Sequence, residues 1–312
     1  MTNTLSAAAG ALLYASRRDW LLPEPATAAR LAFGSALAAA AGLVAGIQLL
    51  RLTPGSPGFD AGWRPALGQY EPYAGAILGA RIGDLPLPIG PVVDADAFLD
   101  AFLAGLPLVL EAELRPSSVA TAPLFTVHDR DQAEILLVAA QSADLLFEQH
   151  TRALDLGLEQ PAHRWAGALA SELAPTDAAL IRIERSASSA WLSIDGRVLG
   201  KRTWTPGRVW GLLIPGRIVP AGLEALLDGL TIALLILPCA YYARRTTAVA
   251  IGFAGLLVVL PQLGPVSMPR APEWLGLAAG LGLARLARVV SPRIVVLTSN
   301  PRSPDSFDEE PR

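Results

Sequence analysis

Charged side chains inside apolar sequence are where chemistry is first sought, because an unpaired charge in lipid is costly. Glu224 and Asp228 stand four apart, on one helical face, at the start of a long apolar run, and Gln262, Arg270 and Glu273 lie around the last such run. The plainer reading of the acids is interface depth near a helix N-terminus, where carboxylates are favoured. Asp129 and Asp131, or Asp94, Asp96 and Asp100, cluster oxygens that suit Ca²⁺, although neither set has an EF-hand spacing and solvated turn acids are the simpler account. His128, His150 and His163 show no His-x₃-His spacing for zinc, and alternation puts His128 and His150 with the outward-facing residues. Trp204, beside Lys201 and Arg202 in a loop, is the tryptophan expected to be exposed for ligand contact, whereas Trp191 and Trp210 read as strand residues of the core.

Enzyme signatures are missing. The chain has no Gly-x-Ser-x-Gly elbow, no phosphate loop and no Glu-x-Asp-x-x-Glu strand of paired carboxylates, so the reading is of a binding protein without cofactor, Ca²⁺ being the one ion worth considering. The single cysteine, Cys239, excludes an internal disulfide.

The elements that must position these residues come in two kinds. With 52% hydrophobic and 17% charged residues, the chain is too apolar to be wholly water-soluble. Four apolar runs read as transmembrane helices: Leu31–Leu50, Ala221–Ala243, Ala248–Leu263 and Trp274–Val290. The third and fourth are short, and Pro261 interrupts the third. A cleaved signal peptide competes for the first, but its apolar run exceeds an ordinary signal core. Arg17, Arg18 and Arg30, then Arg244 and Arg245, then Arg285, Arg288 and Arg293 fall on one side of a four-span chain, which the positive-inside rule makes cytoplasmic. Both termini are then cytoplasmic and residues 51–219 extracytoplasmic, with 1–30 a leading segment and 291–312 a tail. The composition, 24 Arg against one Lys, suits a GC-rich bacterial genome, hence an inner membrane.

Residues 51–219 carry 19 acidic and 14 basic side chains, a net of −5, which excludes a nucleic-acid face. After a Gly/Pro-rich linker at Thr53–Pro65, Tyr70–Pro91 reads as edge strands and turns, and Asp94–Ala104 has helical spacing. Period-two alternation begins at Leu106 and continues through Leu124–His128, Glu134–Gln141 and Leu145–His150. Thr151–Thr176 reads mainly as loop with one short strand. Alternation returns at Ala179–Arg185 and Ala190–Ile194, and Asp195–Gly196 is a type I′ hairpin signal joining Trp191–Ile194 to Arg197–Gly200. Val209–Ile214 reads as the closing strand. The fold class is therefore an all-β sandwich plus four transmembrane α-helices.

The segments Leu108–Ser118, Leu124–Gly157 and Ala190–Gly200, with their acidic alternation and late Leu-x-x-Asp-Gly hairpin, resemble the laminin-G-like, concanavalin A-like lectin superfamily. That resemblance implies a jelly-roll sandwich and recognition of glycan or protein. The flanking spans are similar to the VanZ-like membrane family: Asp228 with Pro238 matches its second-span motif, and Gln262, Arg270, Glu273 and Gly280 its third loop and last span. Ile232, Val259 and Leu277 stand where that family's pattern expects Asn, Glu and Asn, which implies a weakened membrane activity. The two resemblances imply an anchored lectin-like protein binding envelope polysaccharide or a partner protein, or a VanZ-like protein affecting glycopeptide susceptibility or envelope precursors.

Overall fold

A computed structural model of the chain describes residues 21–53, 55–56, 58–62, 70–117, 120–170, 178–186 and 188–298. The expected N-terminal arginines Arg17 and Arg18, parts of the Thr53–Pro65 linker and the tail beyond residue 298 lie outside the described residues. The chain divides into two compact units, Met1–Ala40 with Ile232–Ala254 and Leu277–Arg312, and Ala41–Thr231 with Gly255–Gly276.

The second unit is built on two six-stranded antiparallel sheets. One has the order β4-β1-β6-β7-β8-β9, made of Gly90–Pro91 (β4), Asp60–Gly62 (β1), Thr121–His128 (β6), Glu134–Gln141 (β7), Asp144–Gln149 (β8) and His163–Trp165 (β9). The other runs β12-β11-β10-β5-β2-β3, made of Arg197–Thr203, Ser189–Ile194, Ala178–Ser186, Leu108–Glu113, Ile77–Ile82 and Leu85–Pro86. Their inward side chains, among them Leu108, Leu110, Phe125, Val138, Phe147, Ile181, Ile183 and Leu192, form one hydrophobic core. Across one edge the two sheets are tied by Trp165, whose indole N–H donates to the Gly200 carbonyl at 2.9 Å.

The two sheets differ in their outer faces. In the second, alternation is clean: in β10 Ala178, Leu180 and Glu184 are exposed while Ala179, Ile181, Ile183 and Arg185 are buried. The first is buried on both faces across its central strands β6 to β8, although β1 and β4 at its edge are partly exposed. All eight residues of β6 and the six central ones of β7 are inaccessible, and Leu137, Ala139 and Leu146 form a second small cluster with Tyr70. This corrects the outward reading of His128 and His150, which are 6% and 2% exposed: His128 lies in β6 and His150 just past the end of β8, and both are covered.

Asp195 and Gly196 both take positive φ, 49° and 78°, as the hairpin requires. The helix expected at Asp94–Ala104 spans Ala95–Leu103 (α2), with Asp94 as its N-cap accepting the Ala97 N–H at 2.9 Å, so this acid serves the helix. Phe98 and Phe102 turn into the core. The last carbonyls of α2 are closed by Arg185, which is 7% exposed: its guanidinium donates to Phe102 O at 3.2 Å, Leu106 O at 3.1 Å and Gln149 Oε1 at 3.0 Å, and lies over the Phe102 ring. Burial pushes this guanidinium down to about 10.

Two expectations are corrected here. Val209–Ile214 is no strand: Pro206–Leu212 coils as a 3₁₀ helix, opened by a proline whose missing N–H costs nothing in a first turn. Thr151–Thr176 holds a short helix, Arg152–Asp155 (α3), besides β9, and its residues 171–176 lie outside those described.

Three helices are long and apolar enough to cross a membrane: Pro25–Leu49 (α1), Glu224–Tyr242 (α4) and the Ala271–Ser291 part of Ala271–Thr298 (α6). The third expected span forms only 14 helical residues, Thr246–Val259 (α5), before giving way to 3₁₀ turns at Leu260–Gln262, where Pro261 sits. Within the first unit, Arg288 caps the end of α4, donating to Tyr241 O at 2.6 Å and to the Ala240 and Ala243 carbonyls. Gly280 there faces Ala233 with no room for a Cβ.

Since Arg185 is a buried guanidinium whose donors are shared among Phe102 O, Leu106 O and Gln149 Oε1, Arg185→Met is expected to destabilise the full chain by about 3 kcal/mol in thermal unfolding followed by tryptophan fluorescence in detergent. Arg182→Ala, which removes an exposed pair with Glu184, is the control and should change stability by less than about 0.5 kcal/mol.

Candidate functional site

Four carboxylates and three arginines gather in the second unit where the strands end and the helices begin. Glu273, three residues into the start of α6, is fully buried. Its Oε2 accepts the Arg270 N–H at 2.5 Å, reaching back over its own first turn, and its Oε1 accepts the Gly207 N–H at 2.8 Å from the 3₁₀ segment. Gly207 is required there, since a Cβ would lie 2.6 Å from the Asp228 carbonyl oxygen and 2.9 Å from Glu273 Cγ. This approach carries two neighbours onto α4: Arg208 reaches Glu224 Oε2 at 2.6 Å and Asp228 Oδ1 at 3.8 Å, and the Trp210 indole N–H donates to Asp228 Oδ1 at 2.7 Å. Arg164 of β9 joins from the other side, 3.8 Å from Glu224 and 3.5 Å from Asp144, donating also to Gln141 at 2.8 Å. Arg270 donates to the Thr203 hydroxyl at the end of β12. Below this layer the starts of α4 and α6 touch through Gly229 and Gly276, where a Cβ at Gly276 would run into the Gly229 backbone.

Beside the arginines lies a buried aromatic stack. His163 and Trp204 are parallel within 9° with ring centroids 4.9 Å apart, and Trp165 and Phe147 flank His163. Burial, reinforced by the positive charges of Arg208, Arg202 and Arg270, lowers His163 to about 3, so the imidazole is neutral at physiological pH.

Of the residues expected to work in or near the membrane, Asp228, Arg270 and Glu273 are thus brought together, while Gln262 is exposed in the 3₁₀ turn after α5. Arg208, Trp210 and Arg164, which complete the network, were not expected. Arg208 lies one residue before Val209–Ile214, whose composition reads as a strand, and Trp210 falls inside that stretch. Nothing in the spacing of Arg164 pointed to Glu224. Chemically the arrangement is a clamp: each carboxylate already takes an N–H or guanidinium donor, and breaking one such buried partnership costs about 3–5 kcal/mol.

The tryptophans are exchanged relative to expectation. Trp204 is 1% exposed, stacked on His163, because it follows β12 into the junction. Trp191 is the one on the open face of the second sheet, half-buried, because in β11 it shares the outward register of Ser193. It pairs across strands with Glu184 and Lys201, and the Lys201 ammonium sits 4.4 Å from its ring centroid. Arg202 is exposed beside Lys201. Leu180, 45% exposed, and the Arg182–Glu184 pair extend this surface.

Asp129 and Asp131 line a cavity of about 490 Å³ with Ser56, His150 and Asp155. Both oxygens of Asp129 are already used, Oδ2 by the Ser56 N–H at 2.8 Å and Oδ1 by those of Asp131 and Ala133 at 2.9 and 2.8 Å, so this acid braces the β6–β7 turn. Asp131 accepts from the Ser56 hydroxyl, and His150 Nε2 lies 3.3 Å from Asp155. Among the described residues no group of three or more His, Cys, Asp or Glu side chains is arranged to hold a metal.

Comparison with protein-family models, with curated proteins and with solved structures yields no match to this chain.

Because His163 is held neutral in the fold and titrates near 6.5 when unfolded, the unfolded chain binds more protons between those values. Stability should therefore fall as pH drops below about 6.5, by up to about 1.4 kcal/mol per pH unit. Thermal unfolding of wild type and His163→Phe in detergent between about pH 7 and about pH 4.5 tests this. Wild type should lose stability relative to the variant on acidification, and parallel profiles would exclude the buried neutral imidazole.

Proposed function

We propose that this chain is a bacterial inner-membrane protein presenting residues 51–219 as an extracytoplasmic, lectin-like β-sandwich of jelly-roll type that binds a cell-envelope glycan or a partner protein. The observation that carries the reading is the asymmetry of the two sheets: one is covered on both faces, while the other leaves open a face with Trp191 half-exposed amid Lys201, Glu184 and Arg182. An aromatic ring ringed by hydrogen-bonding charges offers a sugar both stacking and hydroxyl partners.

The topology that goes with this reading has four crossings and both termini in the cytoplasm. Helix α5 with its 3₁₀ extension rises about 27 Å, close to the roughly 30 Å of hydrocarbon, so a short crossing is physically reasonable. Arg244, Arg245, Arg285, Arg288 and Arg293 then fall on the cytoplasmic side.

A second reading, a VanZ-like membrane protein affecting glycopeptide susceptibility or envelope precursors, draws support from the gathering of Asp228, Arg270 and Glu273.

Glycan-array binding by the detergent-solubilised full chain tests the first reading. Trp191→Ala is expected to weaken a bound envelope glycan by about 2 kcal/mol, roughly thirtyfold in Kd, with unfolding temperature unchanged. Folded protein that binds no glycan would leave only the protein-partner branch. For the second reading, Asp228→Asn and Arg270→Gln, at wild-type abundance in a deletion strain, should lower glycopeptide tolerance, and unchanged tolerance would dismiss it.

A further inference from the structure

The connector between β12 and α4 has its polarity turned inside out. Between Arg208 and Glu224 the sequence holds a single charge, Arg217. Arg208 and Glu224, at its two ends, are only 13% and 17% exposed and are paired with each other. Among the described side chains, those turned outward are apolar: Leu213 is 75% exposed, Ile218 68%, Leu223 47% and Ile214 38%, and Leu226 in the first turn of α4 is 63% exposed. A loop bathed in water arranges these the opposite way, and an apolar patch of contiguous Leu and Ile marks a surface that something non-aqueous covers.

The backbone points the same way. The connector coils as consecutive 3₁₀ turns, Pro206–Leu212, Gly216–Ile218 and Ala221–Leu223, whose N–H groups are taken up internally: Leu213 to Trp210 O at 2.9 Å, Ile218 to Pro215 O at 3.1 Å and Leu223 to Pro220 O at 2.9 Å. Pro206, Pro215 and Pro220 remove three further donors. Self-satisfied backbone is what a segment needs where water is scarce. The connector also runs without a break into α4, one of the three helices long and apolar enough to cross a membrane, so Leu223 and Leu226 stand at its mouth.

We infer that Leu213–Leu223 is an interfacial platform, lying in the headgroup and upper acyl layer of the outer leaflet and seating the two-sheet domain on the bilayer. Its occupant is lipid. Leu213, Ile214, Ile218 and Leu223 enter the acyl boundary, as the apolar face of a monotopic helix does. Pairing keeps the charges of Arg208 and Glu224, at the connector's two ends, out of that layer.

The test uses the full chain in vesicles of phosphatidylethanolamine and phosphatidylglycerol, in a Cys239→Ser background. Single cysteines, Leu213→Cys and Ile218→Cys, carry a polarity-sensitive fluorophore; both side chains are exposed, so neither change removes a core contact. Quenching by lipid bearing a nitroxide on the upper acyl chain is compared with quenching by aqueous iodide. Leu230→Cys, exposed on α4, marks lipid, and Val198→Cys, 68% exposed on β12, marks water. The labels at 213 and 218 should be quenched by the nitroxide several-fold more than the label at 198 and should resist iodide. Labels that behave like the one at 198, or that resist both quenchers as a protein-covered face would, overturn the inference. The Leu230 control shows separately whether α4 itself crosses the bilayer.

Discussion

Glu273 is a carboxylate with no exposed surface at the start of a helix long and apolar enough to cross a membrane, and much of the surrounding architecture follows from the need to satisfy it. Its own helix supplies one donor, the Arg270 N–H, and the second must come from elsewhere. The 3₁₀ segment supplies it from Gly207, which can approach because it lacks a side chain. Once Gly207 is in place, Arg208 and Trp210 fall on Glu224 and Asp228, and Arg270 reaches the end of β12. A single buried charge thus ties the last strand to the starts of two helices.

A second constraint is that the character of the outward surface changes along the chain. In the two-sheet domain the inward residues form an ordinary core, and the second sheet shows water an alternating face. In the connector Arg208 and Glu224 at the two ends are paired and largely buried, while Leu213, Ile214, Ile218 and Leu223 are exposed. The change occurs within a few residues, around Arg208. Arginine does the same service in several settings: Arg185 closes a helix end inside the domain, Arg288 closes the end of α4, and Arg208 bridges two acids. The planar fork of five donors suits it to each of these.

Much of the local structure was legible. Alternation located β5 to β8, β10 and β11 within three residues at each end, because a strand with a buried face must repeat every second residue. Asp195–Gly196 announced its hairpin because positive φ demands particular residues, and the spacing of Phe98, Leu99, Phe102 and Leu103 announced the helix, whereas the capping role of Asp94 emerged only in the fold. The apolar runs matched α1, α4 and α6. What misled was local resemblance without tertiary context. Val209–Ile214 has strand composition, yet Pro206 and the pull of Glu273 coil it, and Trp204 sits among charges in sequence while the fold turns it onto His163.

The sequence by itself determined most of the longer strands, which helices are long and apolar enough to cross a membrane, and the net negative charge of residues 51–219, since these depend on periodicity, length and composition along a single stretch. Only the tertiary structure decided that Trp191 rather than Trp204 meets solvent, that one sheet is covered and the other open, and that Arg164, Arg208 and Trp210 complete the set begun by Asp228, Arg270 and Glu273. Those outcomes depend on which surfaces come together across large sequence separations, and no local pattern carries that information.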